Sequence, residues 1–302
     1  MAHGADSLKA IFFALGANFA IAVSKYAAAA VTGSGSMLAE AVHSTADCGN
    51  QLLLLLGLKR ARKPPSSDFP LGYGKETYFW SFIVAVMLFT LGGMFSVYEG
   101  WHKLSEPEPL SHPLIALGVL AFGIVAEAFS MAGCLREVNK IREGRSLWQW
   151  FRTSRNAELV VIFGEDLAAL LGLAFAFVAV TAAWLTGNPM YDAIGSIGIG
   201  VLLLAIAVLI GVEVKALLVG QGVEPELRAQ MVRALESDPG VERVLGFVSL
   251  QMGADVMIAV KAKMRPAGGE AALVEAINRA ESAFRGRYPQ VLWLFFEPDL
   301  RD

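Results

Sequence analysis

The sequence predicts an α-helical membrane protein, six transmembrane helices followed by a small cytoplasmic α+β domain. Three observations predict it. Hydrophobic residues make up 55% of the 302 residues and charged residues 18%, where an average soluble domain carries about 45–50% and about 25%. The apolar residues gather into six stretches, 8–32, 36–58, 77–104, 112–134, 157–186 and 191–219, each near or above the roughly 20 residues a helix needs to cross a bilayer. Past Gly220–Gly222 the long apolar runs stop and charges return. Two domains follow, 1–220 in the membrane and 221–302 outside it.

The first stretch is too long for a signal-peptide core. It has no basic region ahead of it and no small-residue cleavage site. No transit peptide rich in Arg and Ser is expected before it either. Orientation follows from Lys and Arg in the loops. The loop after the second stretch holds Lys59, Arg60, Arg62, Lys63 and Lys75, and the loop after the fourth holds Arg136, Lys140, Arg142, Arg145, Arg152 and Arg155. The loops after the first and fifth hold none, and the loop after the third holds Lys103 alone. Both termini are therefore expected in the cytoplasm. The run from Arg136 to Arg155 also carries Trp148, Trp150 and Phe151, which suits a surface segment with its aromatics at the headgroups.

In the last domain, Pro225–Ser237 spaces Leu227, Met231 and Leu235 four apart, with Pro225 in the first turn and Asp238-Pro239-Gly240 as a stop. Val241–Leu250 and Asp255–Lys263 are β-rich runs separated by Gln251-Met252-Gly253-Ala254. In the second run Val256, Ile258 and Val260 alternate with Met257, Ala259 and Lys261. Glu270–Arg285 reads as a helix and Val291–Phe296 as a last strand. The order αββαβ, of ferredoxin or heavy-metal-domain type, predicts a three-stranded sheet with two helices on one face.

Several function classes are excluded. A net charge of −3 does not suit a nucleic-acid binder. Two cysteines, Cys48 and Cys134, cannot make a disulfide scaffold or a four-cysteine zinc module. No HExxH, phosphate loop or nucleophile–base pair supports an enzyme.

Ionisable groups inside spans are costly and mark function by default. The second stretch carries Glu40, His43, Asp47, Asn50 and Gln51. His43, Asp47 and Gln51 are four apart and share one helix face. An imidazole and a carboxylate one turn apart can grip one cation, and nitrogen plus oxygen suits a divalent transition metal, zinc above all. A histidine alone also serves to hydrogen-bond helices together; Asp47 one turn below it turns the reading toward metal. The fifth stretch carries adjacent Glu165 and Asp166 mid-run, with no Lys or Arg in the same span, so a bound cation or a proton is expected to neutralise them. Neighbours on a helix point about 100° apart. Asp166 is taken as the inward ligand, with Glu165 either a fourth ligand, a proton-accepting neighbour, or packed toward another helix. Glu127, mid-way along the fourth stretch, serves either a proton path or an interhelical bond. Gln51, Asn50 and Glu40 take the same supporting place. Lys25 reads as a side chain that reaches for the membrane surface.

These residues together resemble the cation diffusion facilitator family, over nearly the whole chain. His43-Ser44-Thr45-Ala46-Asp47 resembles the family's second-span ligand box. Phe69-Pro70-Leu71-Gly72-Tyr73-Gly74-Lys75-Glu76 resembles its glycine-rich loop into the third span. Asp192-Ala193 with Gly195, Gly198 and Gly200 resembles the start of its sixth span. The resemblance implies a homodimeric metal-ion/proton antiporter with a tetrahedral site, two ligands from the second span and two from the fifth. His43, Asp47 and Asp166 fill three of those places. The remaining one falls at Ile162, which cannot bind a metal, and the adjacent Glu165–Asp166 pair resembles the branch of organellar zinc transporters. The four histidines are His3, His43, His102 and His112, so secondary histidine sites in the 63–76 loop or the last domain are not expected. A metal sensor there would have only carboxylates such as Asp255, Glu297 and Asp299, and the domain is expected mainly to dimerise.

The expected function is export of zinc from the cytoplasm by alternating access, in exchange for protons. Zinc is the transported substrate and no cofactor is expected; manganese or iron(II) is the alternative cargo. Metal and protons compete for the same groups. Close-approach faces at Gly92-Gly93 and at Gly195, Ser196, Gly198 and Gly200 serve sliding or static packing alike. The expected partners are a second copy of the chain, metal ions, protons and the bilayer, and the expected place is a bacterial inner membrane. A membrane scaffold that transports nothing is the rival class.

Overall fold

The computed structural model describes residues 3–32, 35–106 and 112–301; in the first two helices side chains are described at 11–30, except 14, 28 and 29, and from 44 onward, except 46. The helices are α1 (His3–Thr32), α2 (Gly35–Ala61), α3 (Glu76–Ser105), α4 (Pro113–Ile141), α5 (Leu147–Thr153), α6 (Ala157–Thr186), α7 (Met190–Val219), α8 (Pro225–Glu236) and α9 (Glu270–Arg287). The strands are β1 (Val241–Met252), β2 (Asp255–Met264) and β3 (Val291–Pro298). The chain divides into two compact units. One comprises Met1–Lys59, Thr77–Arg152 and Ala157–Lys215; the other comprises Arg60–Glu76, Thr153–Asn156 and Ala216–Asp302.

In the helical unit, α3, α4, α6 and α7 are each long and apolar enough to cross a membrane. These are four of the six expected spans. The apolar part of α1, Ile11–Ala27, is shorter, and the apolar run of α2 is broken by Glu40, His43, Asp47, Asn50 and Gln51. The unit turns large apolar side chains outward, Phe12, Phe19, Phe129, Val178 and Leu185 among them, as lipid allows and water does not. Helix α1 packs along α4, and α4 along α6. On α4 the inward stripe is Glu127, Ser130, Met131 and Cys134, the i, i+3, i+4, i+7 pattern of one helix face.

Helix α3 covers the apolar stretch 77–104. It widens into a π-helical segment at Leu88–Met94, where Thr90 Oγ1 donates to the Val86 carbonyl at 2.8 Å. A hydroxyl that competes for the backbone, followed by Gly92-Gly93, loosens the regular ladder. Beyond it α3 meets α7 at backbone distance. A Cβ on Gly200 would lie 2.6 Å from the Val97 amide nitrogen, so only glycine permits this crossing.

Two sequence expectations are corrected here. Trp150 does not turn its ring outward, as an aromatic seated among headgroups would. It is fully buried, with Phe151 beside it, and its ring meets that of Phe163 edge-on at 5.7 Å. Trp148 remains exposed. The segment folds as a short helix with an inner face, and position on that face decides burial. Lys25 does not reach for the surface either. It is 6% exposed, and its Nζ donates to Ser44 Oγ at 2.9 Å.

The second unit is built on the expected αββαβ order. β1 pairs antiparallel with β2, and β3 lies parallel to β2 on its other side. The strands run further than the sequence suggests. Gln251 and Met252 pair with Val256 and Asp255, so the hairpin loop is only Gly253-Ala254, with Gly253 at φ +70°, a conformation that glycine adopts without strain. Val256, Ile258, Val260 and Ala262 turn one face of β2 onto Met231, Leu235, Ala280 and Phe284 of the two helices. Val291 and Leu294 join that core, while Leu292 and Phe295 face outward.

The 60–76 loop belongs to this unit. Phe69 and Tyr73 pack at 4.6 Å between ring centroids, and Lys63 Nζ lies 5.7 Å over the Tyr73 ring. Gly74 meets the β1–β2 hairpin so closely that a Cβ there would fall 1.9 Å from the Met252 carbonyl oxygen. Arg155 Nε donates to the Gly222 carbonyl at 2.7 Å.

Candidate metal site

Three helices of the membrane unit bring polar side chains together. On α2, Asn50 is 3% exposed and Gln51 0%, with Leu54 and Leu58 buried on the following turns; Asp47 and Cys48 are half-buried. On α6, every residue from Ala157 to Ile162 is buried, all round the helix, and Glu165 and Asp166 follow at 5% and 2% exposed. On α4, Glu127 is 3% exposed and Ser130 2%.

The adjacent carboxylates of α6 part company, as 3.6 residues per turn requires. Glu165 turns to α2. Asn50 Nδ2 donates to its Oε1 at 2.8 Å and Gln51 Nε2 to its Oε2 at 2.7 Å. Asp166 turns to α4, where Ser130 Oγ donates to its Oδ2 at 2.9 Å. Glu127 lies within electrostatic reach of both acids, and Asp47 within reach of Glu165 and Glu127. Hydrogen bonds to a charged acceptor are the stronger kind, about 1.5–3 kcal/mol each. The amide pair therefore ties α2 to α6, and the serine ties α4 to α6.

Two buried atoms in this group, Asn50 Oδ1 and Gln51 Oε1, have no partner among the described residues. A buried carbonyl without a donor costs about 1–3 kcal/mol, so these amides are half-used.

Lys25 bears on the group as well, since its charge acts on Glu127. Lys25 reaches Glu127 through the packing of α1 on α4, while Glu165 and Asp166 have no Lys or Arg in their own span.

Of the residues singled out in the sequence, the structure gathers Asn50, Gln51 and Glu165, and sets Asp166 beside Ser130. The side chains of Glu40 and His43 lie outside those described. Among the described residues no three His, Cys, Asp or Glu side chains cluster closely enough to hold a metal ion, so Asp47, Glu165 and Asp166 do not share one point here. Ile162 is fully buried in the wall of α6. Ser130 was missed by the sequence reading; its signal is a hydroxyl three residues after Glu127, on one face. Glu158 was missed too. It is 7% exposed and hydrogen-bonded to Thr77. Its place in the first turn of α6 suits a carboxylate, because the helix dipole is positive there.

In the second unit, one of the carboxylates considered as weak ligands, Asp299, is otherwise engaged. Asp299 pairs with Lys261 at 2.8 Å, and the lysine with the Leu300 and Arg301 amides holds its carboxyl below the usual range. Burial pushes the Asp255 carboxyl up, and Glu297 is exposed.

Comparison with known proteins gives the context. Residues 11–219 match the family of the cation efflux transmembrane domain. The mitochondrial proton-coupled zinc antiporter SLC30A9 of Xenopus laevis is 35% identical over 224 residues, 74% of this chain and 40% of that protein. Its Homo sapiens counterpart is 35% identical over 232 residues, 76% of this chain and 41% of that protein. Metal tolerance protein C4 of Arabidopsis thaliana is 32% identical over 238 residues, 78% of this chain and 52% of that protein. The chain thus spans about half the length of these relatives or less.

Proposed function

The chain belongs to the cation efflux family, and from that premise we propose that it exports a divalent metal ion, zinc foremost, in exchange for protons. The observation that carries the reading is the burial of Glu165 and Asp166 deep inside the matched segment. Two carboxylates in a low-dielectric interior need positive charge, and both a divalent cation and protons supply it. His43 and Asp47 of α2 and Asp166 of α6 are the proposed ligands, with Glu165 beside them and Glu127 and Glu40 on the proton side. The relatives named as proton-coupled zinc antiporters support the cargo and the counter-ion.

In this reading α1 and α2 complete six spans and both termini are cytoplasmic, as the loop charges suggest. The chain works in a bacterial inner membrane as a homodimer, held by residues 221–302 folded in the ferredoxin manner. Metal loads from the cytoplasmic side, the bundle rocks, and protons displace the metal on the other side. A second cargo, manganese or iron(II), is favoured by one feature: the described polar groups around Glu165 and Asp166 offer oxygen and amide groups, and oxygen-rich sites suit harder ions.

The test is metal uptake into proteoliposomes holding the full chain, read with an internal pH dye. Zinc, manganese and iron(II) are offered to the native chain and to Asp47→Ala. Metal entry with proton exit, lost in Asp47→Ala, is the expected result and ranks the metals. A folded native chain that moves none of them overturns the reading in favour of a membrane scaffold.

A further inference from the structure

We propose that Glu165, with the side-chain amides of Asn50 and Gln51, forms a second cation seat, which takes a divalent ion before His43, Asp47 and Asp166 receive it. The proposal rests on the reading of the chain as a divalent-metal transporter, and it adds a site that reading does not contain.

The geometry carries the argument. Two consecutive residues of α2 each donate to a different oxygen of one carboxylate, at 2.8 and 2.7 Å. All three side chains are at most 5% exposed. A structural bridge between helices needs one such bond. Here there are two, and the other end of each amide, Asn50 Oδ1 and Gln51 Oε1, is buried with no donor among the described residues. Buried polar atoms normally find partners, so an orphan is a sign of something that comes and goes.

An amide is nearly symmetric in shape but not in chemistry. One end donates and the other accepts, and a half-turn exchanges them without changing volume. With N–H groups turned to Glu165, the amides satisfy a bare carboxylate. With carbonyl oxygens turned the same way, they and the carboxylate present a set of oxygen ligands, the kind that divalent cations take. The two donors therefore stand in for the ion when it is absent. The seat has one formal charge and two neutral oxygens, so it holds an ion more weakly than a site of several charged ligands and can give it up.

Its place fits a loading step. Gln51 lies one turn beyond Asp47 toward the Ala61 end of α2, and Glu165 lies one residue before Asp166 toward the Ala157 end of α6. Those are the two helix ends flanked by the basic loops, the cytoplasmic side in the proposed orientation.

The experiment counts zinc on the purified full chain in detergent, by equilibrium dialysis against zinc alone. In Asp47→Asn/Asp166→Asn the two carboxylate ligands of the proposed transport site are removed and His43 alone remains of it. That chain is expected to retain one weakly held zinc. Adding Glu165→Gln, which keeps size and hydrogen bonding, is expected to weaken the retained zinc by about tenfold or more, and adding Asn50→Leu/Gln51→Leu to do the same. No retained zinc in Asp47→Asn/Asp166→Asn, or retention indifferent to Glu165→Gln, overturns the seat. Flux in proteoliposomes is scored separately. A native chain that moves no metal sinks the transporter reading, whereas a native chain that transports while the double variant binds no zinc sinks only the seat.

Discussion

Ser130 on α4 donates its hydroxyl to Asp166 Oδ2 on α6 at 2.9 Å, so the carboxylate proposed as a metal ligand is aimed by a neighbouring helix rather than by its own. Groups that orient a metal ligand matter almost as much as the ligand, and their loss costs about 10–100-fold in affinity or activity. Ser130→Ala is expected to raise the zinc KM of uptake about tenfold, at the mild end of that range, with Ser130→Thr closer to native. A KM that does not move in Ser130→Ala would show that the hydroxyl only packs.

The burial of Trp150 against Phe163 makes a contrast with Trp148, two residues away and exposed. Trp150→Ala should lower the stability of the membrane unit by about 3–5 kcal/mol, the usual cost of emptying a buried aromatic site. Trp148→Ala should stay within about 0.5 kcal/mol. Melting temperatures of the two variants in the same detergent check this, and equal shifts would contradict the structure.

Within the second unit, the backbone of Gly74 touches that of the β1–β2 hairpin. Gly74→Ala places a methyl where a carbonyl oxygen already is, and neither can bend away as a side chain would. The loop should lift from the hairpin at a cost of about 1–3 kcal/mol. Hydrogen exchange on the full chain is the measurement: faster exchange confined to 60–76 and the hairpin residues near 252–255 is expected, and unchanged protection there would refute it.

Two acids of the second unit, Asp255 in β2 and Asp299 just past β3, should respond to pH with opposite sign. The Asp299 carboxyl is held low by Lys261 and by two amides. Its contribution is present above the unfolded aspartate value of about 3.9 and is lost as pH falls through the lower folded value. The Asp255 carboxyl is pushed up by burial. Its charged form opposes folding, so its cost grows as pH rises from about 3.9 through the raised folded value and persists above it. Asp255→Asn should therefore stabilise the unit at neutral pH, and Lys261→Met should bring the Asp299 titration back toward the ordinary range. NMR titration of the side-chain carboxyls reads both, and the reverse order of the two acids would contradict the account.

The parts legible in the sequence were those written in periodicity. The ends of α6 and α7, the order of the last three strands and two helices, and the inward stripe of β2 all follow from apolar spacing, which packing only reinforces. What was not legible depends on which helices meet. Lys25 looked like a surface-seeking lysine until the fold set its Nζ against Ser44 of α2. Trp150 and Trp148 have the same chemistry and differ only in helix face. The widened turn of α3 depends on Thr90 back-bonding near two glycines, a local competition that periodicity does not report. At the candidate site the sequence offered Glu165 and Asp166 as a pair, and the 100° between neighbours already separated them. It could not say that Asn50 and Gln51 would take one acid and Ser130 the other.

The most direct test of the central claim is uphill zinc movement driven by protons alone. Proteoliposomes of the full chain are loaded with equal zinc inside and out, a pH step is imposed across the membrane, and zinc is followed with an internal dye. The account predicts that zinc accumulates on the acid-poor side's opposite, moving against the proton flow, that reversing the pH step reverses it, and that Asp166→Asn abolishes both. Zinc that stays level under either pH step, in vesicles whose native protein is folded, would contradict it.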